Sequence, residues 1–323
     1  MAPPLGWIEP IARTPDQQSA HFAAVSSNAF VRHTLQPKQM AKGQAVRLFD
    51  LWSHPDVVAD VGFSFTRWHQ ITGSCVKAGA FNAVISTICA QRVASDNPTK
   101  AFMPFLWHNY AMSRHYYGAD GEGEGSMGST MQKSLTVDGV RDYPVDRSDI
   151  LPDYTYDIDN GFQITRTQEL DWSSYRNPSV AKVLQVSKAH LFGISTEAKT
   201  PEDILALVQN GYGVSFACNN YIGSAQIRGS GANARVMGRW DSRGGHQQSI
   251  LGVEEHPDFG TIYWAQNNWP ADTYPRDPAG GPVCGCWVTE SDVKAAMRLD
   301  AEVYGFGSLD WFPAQPKLLE WDM

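Results

Sequence analysis

Residues 75–95 set the terms for the rest of the chain. Val76, Ala80, Ala83, Val84, Thr87 and Ile88 recur at three- and four-residue steps, and no proline interrupts them. The stretch therefore predicts a long central helix packed in a core. Ser74 is a suitable N-cap, and Asn97-Pro98 supplies a stop. The helix opens on Cys75, directly after a Gly73-Ser74 turn. Unsatisfied backbone N–H groups and the helix dipole at that position favour a thiolate. Gln70, just upstream, carries amide N–H groups suited to a developing negative charge. Cys89, deeper in the same run, reads as a small buried hydrophobe.

With 323 residues the chain can form one large domain or two modest ones. A net charge of 26 − 34 = −8 argues against a nucleic-acid partner. No apolar run reaches the ~18 residues of a spanning helix, so no membrane role is expected. Residues 1–7 have neither a basic start nor an apolar core and do not read as a signal peptide. The five cysteines are odd in number and sparse, which points away from a disulfide framework and towards a reducing compartment. Cys284 and Cys286 lack partners at zinc-binding spacing. They read as structural thiols on one face of a strand, and no metal is expected.

Residues 1–60 read as an N-terminal arm, with a short helix over 44–52. A weak strand over 60–65 leads to the cysteine turn. A buried segment at 101–107 and helices at 110–117 and 129–136 follow. Residues 123–128 formally fit GxGxxG, but no strand precedes them and Glu122 and Glu124 would repel a pyrophosphate. The better reading is a glycine loop in which Gly123 and Gly125 shape one wall of a cleft. Residues 140–185 carry little pattern and predict a surface connection. A strand is expected at 186–194. Thr200-Pro201-Glu202-Asp203 opens a helix that Asn210-Gly211 closes. Strands are expected at 213–218, 246–253, 260–266 and 286–289, with a hairpin at 256–260 and a long loop at 225–245. The pattern predicts an α+β fold. Its body spans 61–300, a helical half to about 185 and a β-rich half from about 186, and a tail covers 301–323.

A thiol nucleophile needs a base or cation to hold it ionised, and an imidazole needs a third group to fix its ring plane. Cys75, His246 and Asn267 supply those types in that order. His246 follows Gly245 at a strand start, and Asn267-Asn268-Trp269 ends the next strand. Trp269 is expected to pack over the histidine. On these residues the chain resembles the papain-like cysteine peptidases from about residue 70 to about 293. The family has a glutamine shortly before a Gly-Ser-Cys turn and a long helix, echoed by Gln70 and Gly73-Ser74-Cys75. It has a histidine whose strand reaches a glycine six positions on, as His246 and Gly252 do. It also has Asn-Ser-Trp, where this chain has Asn267-Asn268-Trp269. Some bacterial and viral members resemble residues 113–135 as well.

The resemblance implies a helical half packed against an antiparallel β half, with peptide or isopeptide substrates and no cofactor. Cys75 would attack as a thiolate paired with the His246 imidazolium, and Asn267 would orient the ring. The Cys75 N–H and the Gln70 amide would bind the oxyanion, with Gly73, Ser74, Gly123, Gly125, Gly245 and Trp269 around the cleft. Several positions depart from the family. Gln70 stands one residue closer to the cysteine, Val76 replaces a tryptophan, and Gln247 and Gln248 replace small apolar residues. The rival reading is a papain-like scaffold kept for binding, with the arm joining other subunits in an assembly such as a virus particle. A transglutaminase-like or amidase reaction on the same residues is a third.

Overall fold

The uninterrupted run folds where its periodicity places it. In the computed structural model, which describes residues 37–94, 100–142, 155–157, 161–163, 165–187 and 192–309, α1 spans Pro55–Val61 and α2 spans Cys75–Ala94. Every residue from Cys75 to Gln91 is buried. A helix enclosed on all sides must satisfy its own polar side chains. Ser86 accepts from the Trp52 indole (3.0 Å) and Asn82 accepts from the Trp68 amide (2.8 Å). The Thr87 hydroxyl donates to the Phe306 carbonyl (2.8 Å) and accepts from the Gly213 amide (3.0 Å).

Around α2 the helical half contributes α3 (Trp107–Tyr116), α4 (Gly128–Val137), α5 (Arg166–Trp172) and α6 (Pro178–Ser187). Two short pairs stand apart, β2 (Pro104–Phe105) with β3 (Arg141–Asp142) and β4 (Thr155–Asp157) with β5 (Gly161–Gln163). The other half is a seven-stranded sheet. Its path is β10 (Gly285–Thr289), β9 (Gly260–Gln266), β8 (Arg235–His256), β7 (Val214–Arg228), β11 (Glu302–Leu309) and β6 (Phe192–Glu197). The strand β1 (Ala45–Arg47) pairs with β8 as well. Pairing is antiparallel, apart from one parallel contact of β10 with β8. Helices α7 (Pro201–Gln209) and α8 (Glu290–Met297) lie between strands in the chain. The cross-over from helix to sheet is close enough to require glycine twice. A Cβ on Gly213 would stand 2.2 Å from the Ala83 carbonyl oxygen, and one on Gly79 would stand 2.9 Å from the Gln248 carbonyl oxygen.

The α+β class holds, and α2, α3, α4, α7, β9 and β10 fall close to their expected places. Other expectations do not. Residues 44–52 form β1 and a 3-10 helix (Leu48–Ser53), because pairing with Gly252–Glu254 on β8 outweighs the local helical spacing. No strand forms at 60–65: residues 55–61 are helix, and 62–65 follow it without regular structure. Pro55 sits in the first turn behind His54, whose ring accepts the Asp56 amide, and Gly62 closes the helix at φ +86°. So the later part of the expected arm belongs to the body, with Val46, Leu48, Phe49, Leu51, Trp52 and Val57 in the core. Residues 1–36 and the Asn97-Pro98 stop lie outside the described residues.

The loop expected at 225–245 is the far end of a long β7–β8 hairpin. Ile222, Val236, Met237 and Trp240 are buried along it, with Arg239 and Asp241 exposed on either side of Trp240. Two helices lie in the stretch expected to wrap the surface. The first, α5, opens with a capping box between Thr165 and Gln168. At 186–194 the expected strand begins later, at Phe192, because α6 runs through Ser187. The expected tail supplies β11, an internal strand between β7 and β6 with Val303, Tyr304 and Phe306 buried. Residues 310–323 lie outside the described residues. Cys284 has φ +61° and precedes β10, so strand alternation does not extend to it.

Candidate active site

His246 lies in β8, and Asn267 follows β9, the neighbouring strand. The His246 Nε2 stands 2.9 Å from the Asn267 Oδ1. That oxygen also accepts the Asn268 backbone N–H at 2.8 Å. On the other side of the amide, Asn267 Nδ2 donates to the Tyr274 hydroxyl (2.8 Å), which donates to the Ile222 carbonyl (2.5 Å). Trp269 stacks on the imidazole with centroids 4.7 Å apart, and Tyr221 meets both rings edge-on. His246 is 1% exposed, and its Nδ1 has no hydrogen-bond partner among the described residues. Burial pushes the imidazole pKa down to about 4, partly offset by the bond to Asn267. Burial thus favours the uncharged ring at neutral pH.

The first turn of α2 abuts this strand. Gln247, next to His246, donates from Nε2 to the carbonyl of Val76, next to Cys75 (3.1 Å), and to the Ser215 hydroxyl (2.5 Å). The Ser249 hydroxyl donates to the Gly79 carbonyl (2.8 Å), and Gln248 accepts from the Trp240 indole (2.7 Å). Each glutamine that departs from the family pattern thus has one end of its amide paired, while Gln247 Oε1 and Gln248 Nε2 are buried without a hydrogen-bond partner among the described residues. Asn268 joins the two halves again. Its side chain accepts from Asn82 Nδ2 at 2.7 Å, and its carbonyl accepts the Gln70 backbone N–H at 2.9 Å.

Cys75 occupies the first position of α2 and is fully buried. Beneath it lies a charged anchor that sequence reading missed. Lys77 Nζ stands 2.5 Å from Glu169 Oε1 on α5, and the Ser74 hydroxyl donates to the same oxygen at 2.6 Å. Lys77 and Glu169 are 0% and 1% exposed. The ammonium also stands 4.7 Å from the ring centroids of Trp68 and Trp107. Burial lowers the Lys77 pKa against the pull of Glu169. Burial would raise Glu169, but Lys77 and its hydrogen bonds hold it below the usual carboxylate range. Lys77, the one charged residue between Cys75 and Gln91, was the available signal.

The glycine loop lies against the cysteine turn. Gly125 donates its N–H to the Gly73 carbonyl (3.1 Å), and the Tyr110 hydroxyl bonds to both glycines. The Arg114 guanidinium holds the loop by donating to the carbonyls of Gly125 and Gly121, and Gly123 exchanges hydrogen bonds with the Ser173 hydroxyl. A helix, not a strand, precedes this loop, in keeping with the rejection of a dinucleotide site. Gly245 sits in β8 directly before His246. Gln70 is buried, and its Nε2 donates to the Thr72 carbonyl at 3.1 Å. A cavity of about 480 Å³ lies elsewhere, against Ser224, Met237, Phe259 and Asp292, and includes none of the expected site residues. Among the described residues no cluster of His, Cys, Asp or Glu could hold a metal ion, and none of the five cysteines is in a disulfide.

The chain superposes over 94% of its length on 96% of xylellain, a cysteine protease from Xylella fastidiosa, at TM-score 0.55 and 16% identity. It superposes over 95% on 86% of procathepsin B S9 from Trypanosoma congolense, at TM-score 0.51 and 9% identity. Procathepsin L 3 of Tenebrio molitor larval midgut matches at TM-score 0.50 and 10% identity, over 94% of this chain and 82% of that one. The fold is that of the papain-like cysteine proteases. No family model and no curated protein matches the sequence. At these identities the likeness is one of fold, so the chemistry rests on the residues described above.

Proposed function

We propose that the chain is a thiol peptidase in which Cys75 is the nucleophile and His246 the base. The observation that carries this reading is the His246–Asn267 hydrogen bond under Trp269, with the unpaired Nδ1 on a strand joined to the first turn of the cysteine helix. His246 Nδ1 takes the thiol proton as Cys75 Sγ bonds to the substrate carbonyl carbon. The tetrahedral intermediate collapses, the C–N bond breaks, and His246 returns the proton to the leaving amine. Water then attacks the thioester and gives a proton to His246. The carboxylic product leaves and the thiol is restored. The Cys75 backbone N–H is the first oxyanion donor. Gln70 serves as the second only through its other amide hydrogen or after turning from Thr72.

The glycine loop from Gly123 to Gly125, held beside Gly73, forms one wall of the peptide cleft in this reading. Hydrolysis of a fluorogenic peptide library tests it. Turnover that disappears in Cys75→Ala is expected, and equal turnover by that variant would overturn it.

One observation favours a second reading, a papain-like scaffold kept for binding. Cys75 is 0% and His246 1% exposed, so the reactive groups are closed to solvent. Turnover in the unaltered protein separates the two, since a scaffold has none at any pH.

A further inference from the structure

We propose that Tyr274 is a positioning residue that fixes His246 as the Nε2–H tautomer; its catalytic meaning rests on the thiol peptidase reading above. Hydrogen-bond polarity carries the argument. The Ile222 carbonyl can only accept, so the hydrogen of the Tyr274 hydroxyl, 2.5 Å away, is committed to it. Toward Asn267, at 2.8 Å, the same oxygen can then only accept, and the amide must present Nδ2 there. This turns Oδ1 toward His246 Nε2, which has to carry the ring's hydrogen to make the 2.9 Å bond. The lone pair of the neutral ring is left on Nδ1, the nitrogen with no partner among the described residues.

The local fold makes this relay available. Ile222 sits between two register shifts in the β7–β8 pairing, which interrupt the ladder around its carbonyl. Tyr274 is 3% exposed, so water does not compete for its hydroxyl. Burial also pushes the phenol far above its ordinary range, with the nearby thiols of Cys286 and Cys284 adding to the effect, so it remains a donor at every working pH. The Asn268 backbone N–H holds the amide in the same sense from the other side. Two locks on one amide give the ring a single polarity. Tyr274 is the one supplied by a side chain, and it can be removed without touching the reacting groups.

Tyr274→Phe tests the proposal. The ring keeps its packing, and Asn267 Nδ2 loses its acceptor. With ¹⁵N-labelled histidine, the unaltered protein should show His246 as the Nε2–H form near neutral pH. Tyr274→Phe should move its ring resonances toward a mixture of both tautomers. The peptide-hydrolysis kcat should fall on the order of tenfold to a hundredfold with little change in KM, as for a displaced catalytic group. A Tyr274→Phe protein with unchanged His246 resonances and unchanged kcat would overturn the inference. So would an Nδ1–H ring in the unaltered protein, a measurement that needs no variant to fold. An Nε2–H ring that mixes in Tyr274→Phe, in a protein without turnover, supports the tautomer lock and counts only against the peptidase reading.

Discussion

The two sides of the candidate site are held by opposite physics. Under the cysteine turn, a buried ion pair between Lys77 and Glu169 draws in the Ser74 hydroxyl. Around the histidine, a chain of neutral groups runs from Ile222 through Tyr274 and Asn267 to His246. A buried ion pair is costly to form and still more costly to break, because the surviving charge has no partner. A neutral chain costs less to interrupt, but its direction decides which ring nitrogen holds the proton. The charged side therefore concerns whether the turn stands at all. The neutral side concerns what chemistry it performs.

The largest effect is expected from Glu169→Gln. It leaves the Lys77 ammonium buried without a carboxylate and should cost about 3–5 kcal/mol in denaturant unfolding. The Lys77→Met, Glu169→Leu double variant should recover most of that loss, since apolar replacement removes both desolvation penalties. If the single and double variants are equally unstable, the ion pair is not what anchors the turn.

Next in size is the pH dependence of the neutral side. The folded pKa of His246, about 4, lies below its ordinary 6.5. Between pH 6.5 and 4 the unfolded chain therefore binds more protons, and stability falls as pH falls. The penalty is absent above that window and complete below it, about 3 kcal/mol for a shift of this size. His246→Gln should flatten the slope by that amount in unfolding curves taken across the window. His108 is also buried and held at about 4, so part of the slope should remain. An unchanged slope in His246→Gln would contradict the buried neutral imidazole.

Asn82→Ala addresses the seam between the sides. Asn82 accepts from the Trp68 amide and donates to the Asn268 side chain, so its removal should cost about 1–3 kcal/mol. The smallest effect is expected at the rim. Arg166 and Glu124 are 65% and 36% exposed, and Glu124→Gln should change stability by no more than about 0.5 kcal/mol.

The same division explains what was legible in the chain. Cys75, His246 and Asn267 could be read because each has a local signature: a Gly-Ser turn before an apolar helix, a glycine before a strand run, and a strand end followed by tryptophan. The expected strand start at His246 is instead the interior of β8, since the ladder continues through the residues before it. The Thr200-Pro201 helix start and the Asn210-Gly211 stop were legible for the same reason. Tyr274 and Glu169 were not, because each acts through partners far along the chain. Glu169 meets residues 92 and 95 positions away, and Tyr274 meets one 52 positions away. Strand β11 was read as tail because its place between β7 and β6 is set by pairing with distant strands. The β7–β8 hairpin was read as loop because its Gly, Ser and Asn content hides an alternation that only burial reveals. Gln70 was legible as a residue but not as a geometry, since its amide is drawn to Thr72.

The central claim is that Cys75 and His246 act as one unit, and thiol labelling tests it most directly. Iodoacetamide should modify Cys75 at neutral pH, and His246→Gln, which fills much of the ring's space, should slow that modification at least about tenfold. Any opening needed to reach the buried thiol is common to both proteins, so the ratio reads the histidine's contribution. Equal rates in the unaltered protein and His246→Gln would contradict the account.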